Sequence, residues 1–286
     1  MPPKLEIDGL QFAEGPRWHA DALWCSDMFG HCVVRCQPGH EPEEFVRMPF
    51  DNPSGLGWLV SGEMLVVGMQ TQAVYRATRQ GNLQLHADLS GLAKGMANDM
   101  VVAPNGTAYV DDSGLPRFGQ SGARCSGQIL AAHRDGSVVS VAEDLEGPNG
   151  IVLTPDGSTL IVAESFAGRL TAFDVAPDGS LFSRRVHAEL AASARGEQVH
   201  PDGICIDAEG GVWVADLTVR EVLRIGVDGA VTDSIPFGPL IPVACALGGQ
   251  DMRRLFVCLS EHWDIAKLGK SAVSRVISVE VSIPGV

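Results

Sequence analysis

The sequence predicts an all-β protein: a six-bladed β-propeller with four-stranded antiparallel blades around a central channel. One pattern, a turn tripeptide, an apolar run, a glycine-containing turn and a second apolar run, occurs six times in the 286 residues. The copies begin near residues 15, 55, 99, 150, 203 and 246, a spacing of about 40–53 residues that is typical of propeller blades. The apolar runs are short and rich in Val, Leu, Ile and Trp, and 33 glycines and 17 prolines suit many tight turns.

The six copies follow one another along the whole chain, and each continues into a third predicted strand. The first is EGPRWHADALWCSDM with CVVRCQPGH, and the second is NPSGLGWLVSGEMLVVGM with AVYRATRQGN. The third is NDMVVAPNGTAYVDD with QILAAHRDGS, and the fourth is PNGIVLTPDGSTLIVAE with RLTAFDVAPDGS. The fifth is PDGICIDAEGGVWVAD with EVLRIGVDGA, and the more degenerate sixth is ACALGGQDMRRLFVCLS with SRVISVEVS. A β-sandwich or two small barrels would also have short strands, but neither predicts six copies.

The pattern therefore predicts a single propeller domain over residues 1–286. A ring of blades must close, and a strand from one terminus usually completes the blade of the other. LEIDGL near the N-terminus and VISVEVSI near the C-terminus are both candidates for this strand. Helical signal is almost absent, and its best candidate is one or two turns within residues 188–198.

Composition excludes several classes of function. The net charge of −14 and the pI near 4.9 disfavour binding to nucleic acid or to an anionic membrane surface. Seven cysteines without a CxxC motif predict neither a disulfide framework nor a thiolate zinc site. The sequence shows no signal peptide and no apolar run near the roughly 20 residues of a membrane span. We expect a soluble cytoplasmic protein that acts on a small molecule; its oligomeric state is left open.

The tripeptides that start the inner strands place polar residues at one phase of the repeat. In a propeller the innermost strands begin at the central channel, so these positions are expected to converge. The residues concerned are Glu14, Ser54, Asn98, Asp99, Asn149 and Asp202. Carboxylate and amide oxygens favour Ca²⁺ or Mg²⁺ over transition metals, and neutral amides favour Ca²⁺. Taken singly, PSG, PNG and PDG are equally well explained as ordinary turns, because Asn and Asp favour turns and Gly supplies positive φ.

These motifs resemble the senescence-marker protein (regucalcin), gluconolactonase and drug-responsive lactonase family. The resemblance extends from FAEGPRW to RRLFVC and is most specific in EGPNGIVLTPDGSTLIVAES and HPDGICIDAEGGVWVAD. It implies a six-bladed propeller with one central divalent cation, Ca²⁺ above all, with Zn²⁺, Mn²⁺ or Mg²⁺ as alternatives. It also implies that Glu14, Asn149 and Asp202 bind this metal and that Asp202 acts as general base. By the same resemblance Asn98 contacts the substrate, and Asp99 contacts substrate or metal.

Two positions depart from the sugar-lactone members of the family. Met96 stands where those members have an arginine, and no acid occurs near Pro116, where they have a glutamate that faces the substrate. A missing cation and a missing carboxylate remove hydrogen-bond partners for the hydroxyls of a sugar. With Met96 as a substrate-binding residue, a more apolar lactone or ester becomes the expected substrate.

The expected reaction is hydrolysis of a lactone or related small ester. A cation with open positions polarises the carbonyl and lowers the pKa of a bound water, and a general base accepts the proton of that water. Because a carboxylate bound to a cation is less basic, His200, Asp99 and Glu164 remain alternatives to Asp202 as the base. No GxSxG motif supports a serine esterase.

Other functions fit the same scaffold. A phosphotriesterase-like activity, as in the similar diisopropyl fluorophosphatase, a non-hydrolytic enzyme and a non-enzymatic calcium-binding propeller are the alternatives. Residues 113–127 form an unusually long connection that could cover the channel mouth as a lid, although a surface excursion would look the same. Residues 236–249 supply either an apolar wall of the site or ordinary core packing.

Overall fold

The computed structural model describes residues 3–78, 81–190, 198–263 and 267–286. Within these ranges the chain forms twenty-four strands, β1 to β24, and no helix. The strands build six four-stranded antiparallel sheets, and the sheets are arranged as blades around a central axis. The prediction of an all-β six-bladed propeller is confirmed.

Each of the first five blades uses four consecutive strands, ordered from the channel outward. Blade I comprises β2 (Ala13–His19), β3 (Ala22–Asp27), β4 (Cys32–Cys36) and β5 (Glu43–Arg47). Blade II comprises β6 (Pro53–Trp58), β7 (Met64–Gly68), β8 (Ala73–Ala77) and β9 (Leu83–Asp88). Blade III comprises β10 (Ala97–Val102), β11 (Ala108–Asp112), β12 (Gly127–Ala132) and β13 (Val138–Leu145). Blade IV comprises β14 (Pro148–Leu153), β15 (Thr159–Glu164), β16 (Arg169–Val175) and β17 (Leu181–Glu189). Blade V comprises β18 (Pro201–Ile206), β19 (Val212–Asp216), β20 (Glu221–Ile225) and β21 (Val231–Pro236).

Blade VI combines both ends of the chain. It comprises β22 (Ile241–Gly248), β23 (Arg254–Ser260), β24 (Ser274–Glu280) and, outermost, β1 (Lys4–Leu10). The LEIDGL segment is therefore the closing strand, whereas VISVEVSI contributes to the third strand of the same blade. Each inner strand contacts the inner strands of the two neighbouring blades, which completes the ring.

The hydrophobic core is divided among the six seams between blades. Alternate residues of each sheet face the two neighbouring blades, so every seam is filled by apolar side chains from both sides. At the seam of blades I and II, for example, Trp24 meets the Trp58 ring edge-on with ring centroids 5.5 Å apart. This packing holds the starts of the inner strands in fixed positions around the channel.

The interpretation of the inner tripeptides as turns was wrong. Residues 148–150 and 201–203 are the first residues of β14 and β18, whereas the PDG at residues 155–157 is an exposed hairpin turn. Neither Gly150 nor Gly203 has a positive φ. A Cβ on Gly150 would lie 2.4 Å from a main-chain oxygen of blade V, and one on Gly203 would lie 2.6 Å from a main-chain atom of blade VI. Glycine is required here by close packing between inner strands rather than by a left-handed conformation.

Two further expectations concern segments outside the blades. Residues 191–197 lie outside the described residues, so the helical turns expected within 188–198 are not described apart from the end of β17. In the described ranges no helix has the length and hydrophobicity of a membrane span.

Candidate functional site

The second residue of every inner strand occupies the same place in its blade. In each blade the residue before it is paired with the last residue of the second strand, as in Ala13 with Asp27 and Pro148 with Glu164. The six equivalent residues are Glu14, Ser54, Asn98, Asn149, Asp202 and Pro242. The repeat phase read from the sequence therefore corresponds to one structural level of the ring, and five of its six positions carry polar side chains.

Four of these polar side chains line one cavity at this end of the channel. The cavity has a volume of about 160 Å³, and Glu14, Asn98, Asn149 and Asp202 all contribute to its lining. Met96 lines it as well, two residues before Asn98. The structure thus brings together the three predicted metal ligands and two of the three predicted substrate-binding residues.

The two acids of this set repel each other. Burial raises the pKa of Glu14 well above its ordinary value, and repulsion from Asp202 raises it further. Burial likewise raises the pKa of Asp202, with additional repulsion from Asp99, while a hydrogen bond from Asn149 opposes this rise. Glu14 is 9% exposed and Asp202 is 5% exposed, so water screens neither carboxylate effectively. The base of the cavity is therefore a buried, electron-rich set of oxygens.

A directed chain of hydrogen bonds links three residues of the ring. The Ser54 hydroxyl donates to Oδ1 of Asn98 over 2.7 Å, and Nδ2 of Asn98 donates to Oδ1 of Asn149 over 3.1 Å. Ser54 is 1% exposed and its own main-chain oxygen accepts from Ser26 Oγ at 2.6 Å. The chain fixes the orientation of both amides, which determines where their oxygens lie.

Asp99 has a different neighbourhood from the other predicted residues. Its carboxylate Oδ1 accepts from Arg17 Nη2 at 2.7 Å, and the same nitrogen donates to the main-chain oxygen of Met100 at 2.7 Å. Asp99 is not among the residues that line the 160 Å³ cavity. Arg17 instead lines a second cavity of about 210 Å³ at the other end of the channel. A role of Asp99 at the substrate stays a prediction, and the contact in the structure is with Arg17.

In four blades, an acid at the end of the second strand accepts a hydrogen bond from the main chain just before the inner strand. Asp27 accepts from the N–H of Phe12 (2.9 Å), Asp112 from Gly95 (2.8 Å), Glu164 from Glu146 (2.7 Å) and Asp216 from His200 (2.6 Å). Each of these carboxylates bonds the main chain just before the inner strand of its own blade. These acids position the cavity residues, and the repeat could have shown them because they recur at one phase.

Glu164 and His200 are engaged outside the cavity. Glu164 is fully buried and accepts from Arg169 Nε at 2.9 Å and Nη2 at 3.2 Å. His200 Nδ1 lies 2.7 Å from Oγ1 of Thr218, a partner that the sequence did not reveal. Neither residue is part of the cavity lining. Of the alternatives for the base, these two therefore have structural contacts rather than access to the cavity.

The remaining lining of the cavity is apolar, and sequence reasoning missed most of it. Buried wall residues are Phe12, Met28, Met69, Val243 and Leu268. Residues with more exposure are Phe29, Leu115, Phe118, Leu217 and Trp263. A signal existed: Met28, Met69 and Leu217 each follow directly after the second strand of their blade, a position that also contains Ser113.

The two long segments both contribute to this lining. Residues 113–127 provide Ser113, Leu115 and Phe118, so the segment lies at the cavity as expected, and its action as a moving lid stays a prediction. Residues 236–249 provide Val243, while Cys245 and Leu247 pack between blades V and VI. The second segment therefore serves both as wall and as core.

The donor set is suited to a hard cation, although it is not rich in acids. Among the described residues, no cluster of three or more His, Cys, Asp and Glu side chains is arranged to hold a metal ion. The central set combines two acids with the amide oxygens of Asn98 and Asn149 instead. Two buried carboxylates that destabilise each other are what a divalent cation would neutralise.

Comparison with known proteins identifies the family of the chain. Residues 12–261 match the model of the SMP-30/Gluconolactonase/LRE-like region family. The chain is 28% identical over 278 residues to 6-deoxy-6-sulfogluconolactonase from Pseudomonas putida, which covers 95% of this chain and 92% of that protein. It is 27% identical over 255 residues to L-arabinolactonase from Azospirillum brasilense, covering 85% of this chain and 79% of that protein.

A solved structure has the same fold. The calcium-binding protein regucalcin from Agrobacterium tumefaciens superposes with a TM-score of 0.78 at 22% identity, covering 99% of this chain and 96% of that one. The family model spans all six inner strands and the three residues at the base of the cavity that the sequence predicted as metal ligands. The chain belongs to the SMP-30/Gluconolactonase/LRE-like family.

Proposed function

We propose that this protein hydrolyses a lactone, or a related small ester, in the 160 Å³ cavity, with one divalent cation held by Glu14, Asn149 and Asp202. Relatives named as lactonases bear out the prediction of a lactonase-like hydrolase. The observation that supports the proposal most is the meeting of two buried carboxylates at the base of a cavity whose walls are mostly apolar.

The residues present fit such a cation. Ca²⁺ takes carboxylate and amide oxygens, and its charge would compensate the burial and the like-charge repulsion that raise the pKa values of Glu14 and Asp202. Oδ1 of Asn149 accepts one hydrogen bond from Nδ2 of Asn98, which fixes the amide, and an amide oxygen has a second lone pair that a cation would use. Ca²⁺ is the expected ion, and Zn²⁺, Mn²⁺ and Mg²⁺ are to be compared with it.

The side chains of the cavity have separate roles in the proposed reaction. When bound, the cation supplies polarisation of the carbonyl and a lowered pKa for water. Asp202 accepts the proton of the attacking water, because its carboxylate lines the cavity whereas Glu164 and His200 do not. The proton then passes to the ring oxygen that leaves the acyl carbon. The walls around these side chains are mostly apolar.

The test uses an isosteric substitution. Asp202→Asn is expected to lower kcat/KM at least about 100-fold and to abolish the stabilisation that the metal gives to the wild type. That stabilisation is about 2.7 kcal/mol at 100 times the dissociation constant. Lactones, aryl esters and a phosphotriester are assayed with Ca²⁺, Zn²⁺, Mn²⁺ or chelator, and thermal unfolding is recorded in parallel.

The PDG tripeptide at residues 155–157 offers a matched control. Asp156 is exposed in a hairpin turn, where it accepts from Ser158, so Asp156→Asn is expected to leave turnover and metal binding unchanged. Full lactone turnover by Asp202→Asn, or by chelated wild type, would overturn the proposal. Turnover of the phosphotriester alone would assign the site to the alternative chemistry.

A further inference from the structure

We propose that the substrate carries an apolar substituent: the lactone ring lies in the cavity, and an alkyl or aryl group on it lies against Phe29, Phe118 and Trp263 at the mouth. The inference rests on the proposed lactone hydrolysis and adds the class of lactone.

The wall of the cavity offers few hydrogen-bond partners for a sugar. Above the polar base, three methionines, Met28, Met69 and Met96, face the cavity, and none is more than 6% exposed. Of the described wall residues, Ser113 has the one hydroxyl, and it already donates to the Met96 main-chain oxygen at 3.0 Å and accepts from the Leu115 N–H at 3.3 Å. Sugar hydroxyls against this wall would be desolvated without hydrogen bonds, which disfavours binding. Flexible, polarisable methionine side chains instead adapt to alkyl groups of varied shape.

The size of the cavity limits how much of the substrate it can hold. A dry cavity of about 150 Å³ holds one benzene ring, and this cavity measures about 160 Å³. This is room for the ring and carbonyl of a lactone but not for a long chain as well. A substituent on the ring must therefore extend toward the mouth.

The mouth is formed by aromatic side chains. Phe29 and Phe118 lie with ring centroids 5.2 Å apart and tilted by 38°, and Phe12 meets Phe29 edge-on at 6.3 Å. Trp263 is 59% exposed although it lines the same cavity. An apolar group lying here would cover the aromatic surface that water now contacts, and this gives the substituent a favourable place.

The first measurement is a substrate series with one metal ion. γ-Butyrolactone and γ-lactones with ethyl, butyl and pentyl substituents are compared with glucono-δ-lactone. We expect kcat/KM to rise about fourfold for each methylene, which corresponds to about 0.8 kcal/mol for each buried CH₂. Glucono-δ-lactone is expected to be at least about 100-fold poorer than the butyl compound. A flat series, or glucono-δ-lactone as the better substrate, would overturn the inference and leave lactone hydrolysis intact.

Binding is measured separately, so that the two proposals can fail independently. γ-Lactams with the same substituents are titrated calorimetrically, since the lactam resists hydrolysis. Tighter binding with longer chains, without turnover of any lactone, would support the ligand class and refute the proposed hydrolysis. No increase in affinity along the lactam series would refute the ligand class.

A pair of phenylalanine variants locates the effect. Phe118→Ser, at the mouth, is expected to reduce the preference for the butyl over the unsubstituted lactone at least about fivefold. Phe182 is 52% exposed on the outer strand of blade IV, so Phe182→Ser is the matched control and should keep the full preference. Unchanged selectivity in Phe118→Ser, with unchanged thermal unfolding, would contradict placement of the substituent at this mouth.

Discussion

Substitution of Glu164 tests whether this acid takes part in catalysis or stabilises the fold. Its fully buried carboxylate accepts two hydrogen bonds from Arg169, one from the Glu146 N–H at 2.7 Å and one from the Thr171 hydroxyl. Glu164→Gln removes the charge and places an amide NH₂ opposite one of these donors. Hydrogen bonds to charged groups contribute about 1.5–3 kcal/mol each, and a donor left facing a donor adds its desolvation cost.

Water reaches Arg169, whose side chain is 27% exposed, so part of the loss is offset. We therefore expect Glu164→Gln to lower the free energy of unfolding by about 2–3 kcal/mol and Tm by about 4–8 °C. Urea unfolding and calorimetry measure stability, and kcat/KM is measured well below Tm. Activity should fall by less than about tenfold, because Glu164 does not line the cavity and acts on Asn149 only through the main chain before β14.

The matched control is Glu280→Gln, at the exposed end of β24, which should change stability by less than about 0.5 kcal/mol. A fall in kcat of about 100-fold in Glu164→Gln with unaltered stability would refute the structural assignment and make Glu164 the base. If the variant loses both stability and activity, an assay at lower temperature, where it is fully folded, separates the two effects.

Two further predictions concern the same network and the ring. Although burial raises the pKa of Glu164, the bonds from Arg169, Glu146 and Thr171 together lower it from its ordinary value of 4.5. The difference in unfolding free energy between wild type and Glu164→Gln is therefore expected to be largest above pH 4.5 and to shrink as pH falls through the lowered pKa. Urea unfolding at a series of pH values measures this difference. Ser54→Ala frees the Asn98 amide and should weaken metal binding about 3–10-fold, as measured by calorimetry. The control Ser278→Ala removes a buried hydroxyl that donates to Glu6 in blade VI and should leave metal binding unchanged. Equal affinities in wild type and Ser54→Ala would contradict the role of the hydrogen-bond chain in ordering the amides.

The repeat in the sequence was sufficient to predict the number of blades and the level of the site. Short apolar runs at a nearly regular period can bury their faces only against neighbouring copies, so six copies predict six blades. The same phase located Glu14, Asn98, Asn149 and Asp202, because equivalent residues of a closed ring must converge. The resemblance to the family added the expected roles of these residues and identified Met96 as a departure.

Local sequence did not show which structure a tripeptide adopts. PDG occurs at 155–157 as an exposed turn and at 201–203 as the start of an inner strand, because in the second case the neighbouring inner strand approaches too closely for a side chain at Gly203. The closing strand likewise had two candidates, and only pairing of β1 with β24 decided between them.

Tertiary structure also decided which way each carboxylate points. Glu14 and Asp202 line the cavity, while Glu164 contacts Arg169 and Asp99 contacts Arg17, although each of the four lies within two residues of the start or end of a strand in its own copy of the repeat. The sequence by itself determined the ring and the level at which polar residues gather, because both follow from periodicity. Which carboxylates face the cavity depended on partners that the repeat does not specify, since a buried charge turns toward the nearest donor: Arg169 on the neighbouring strand for Glu164, and Arg17 of blade I for Asp99.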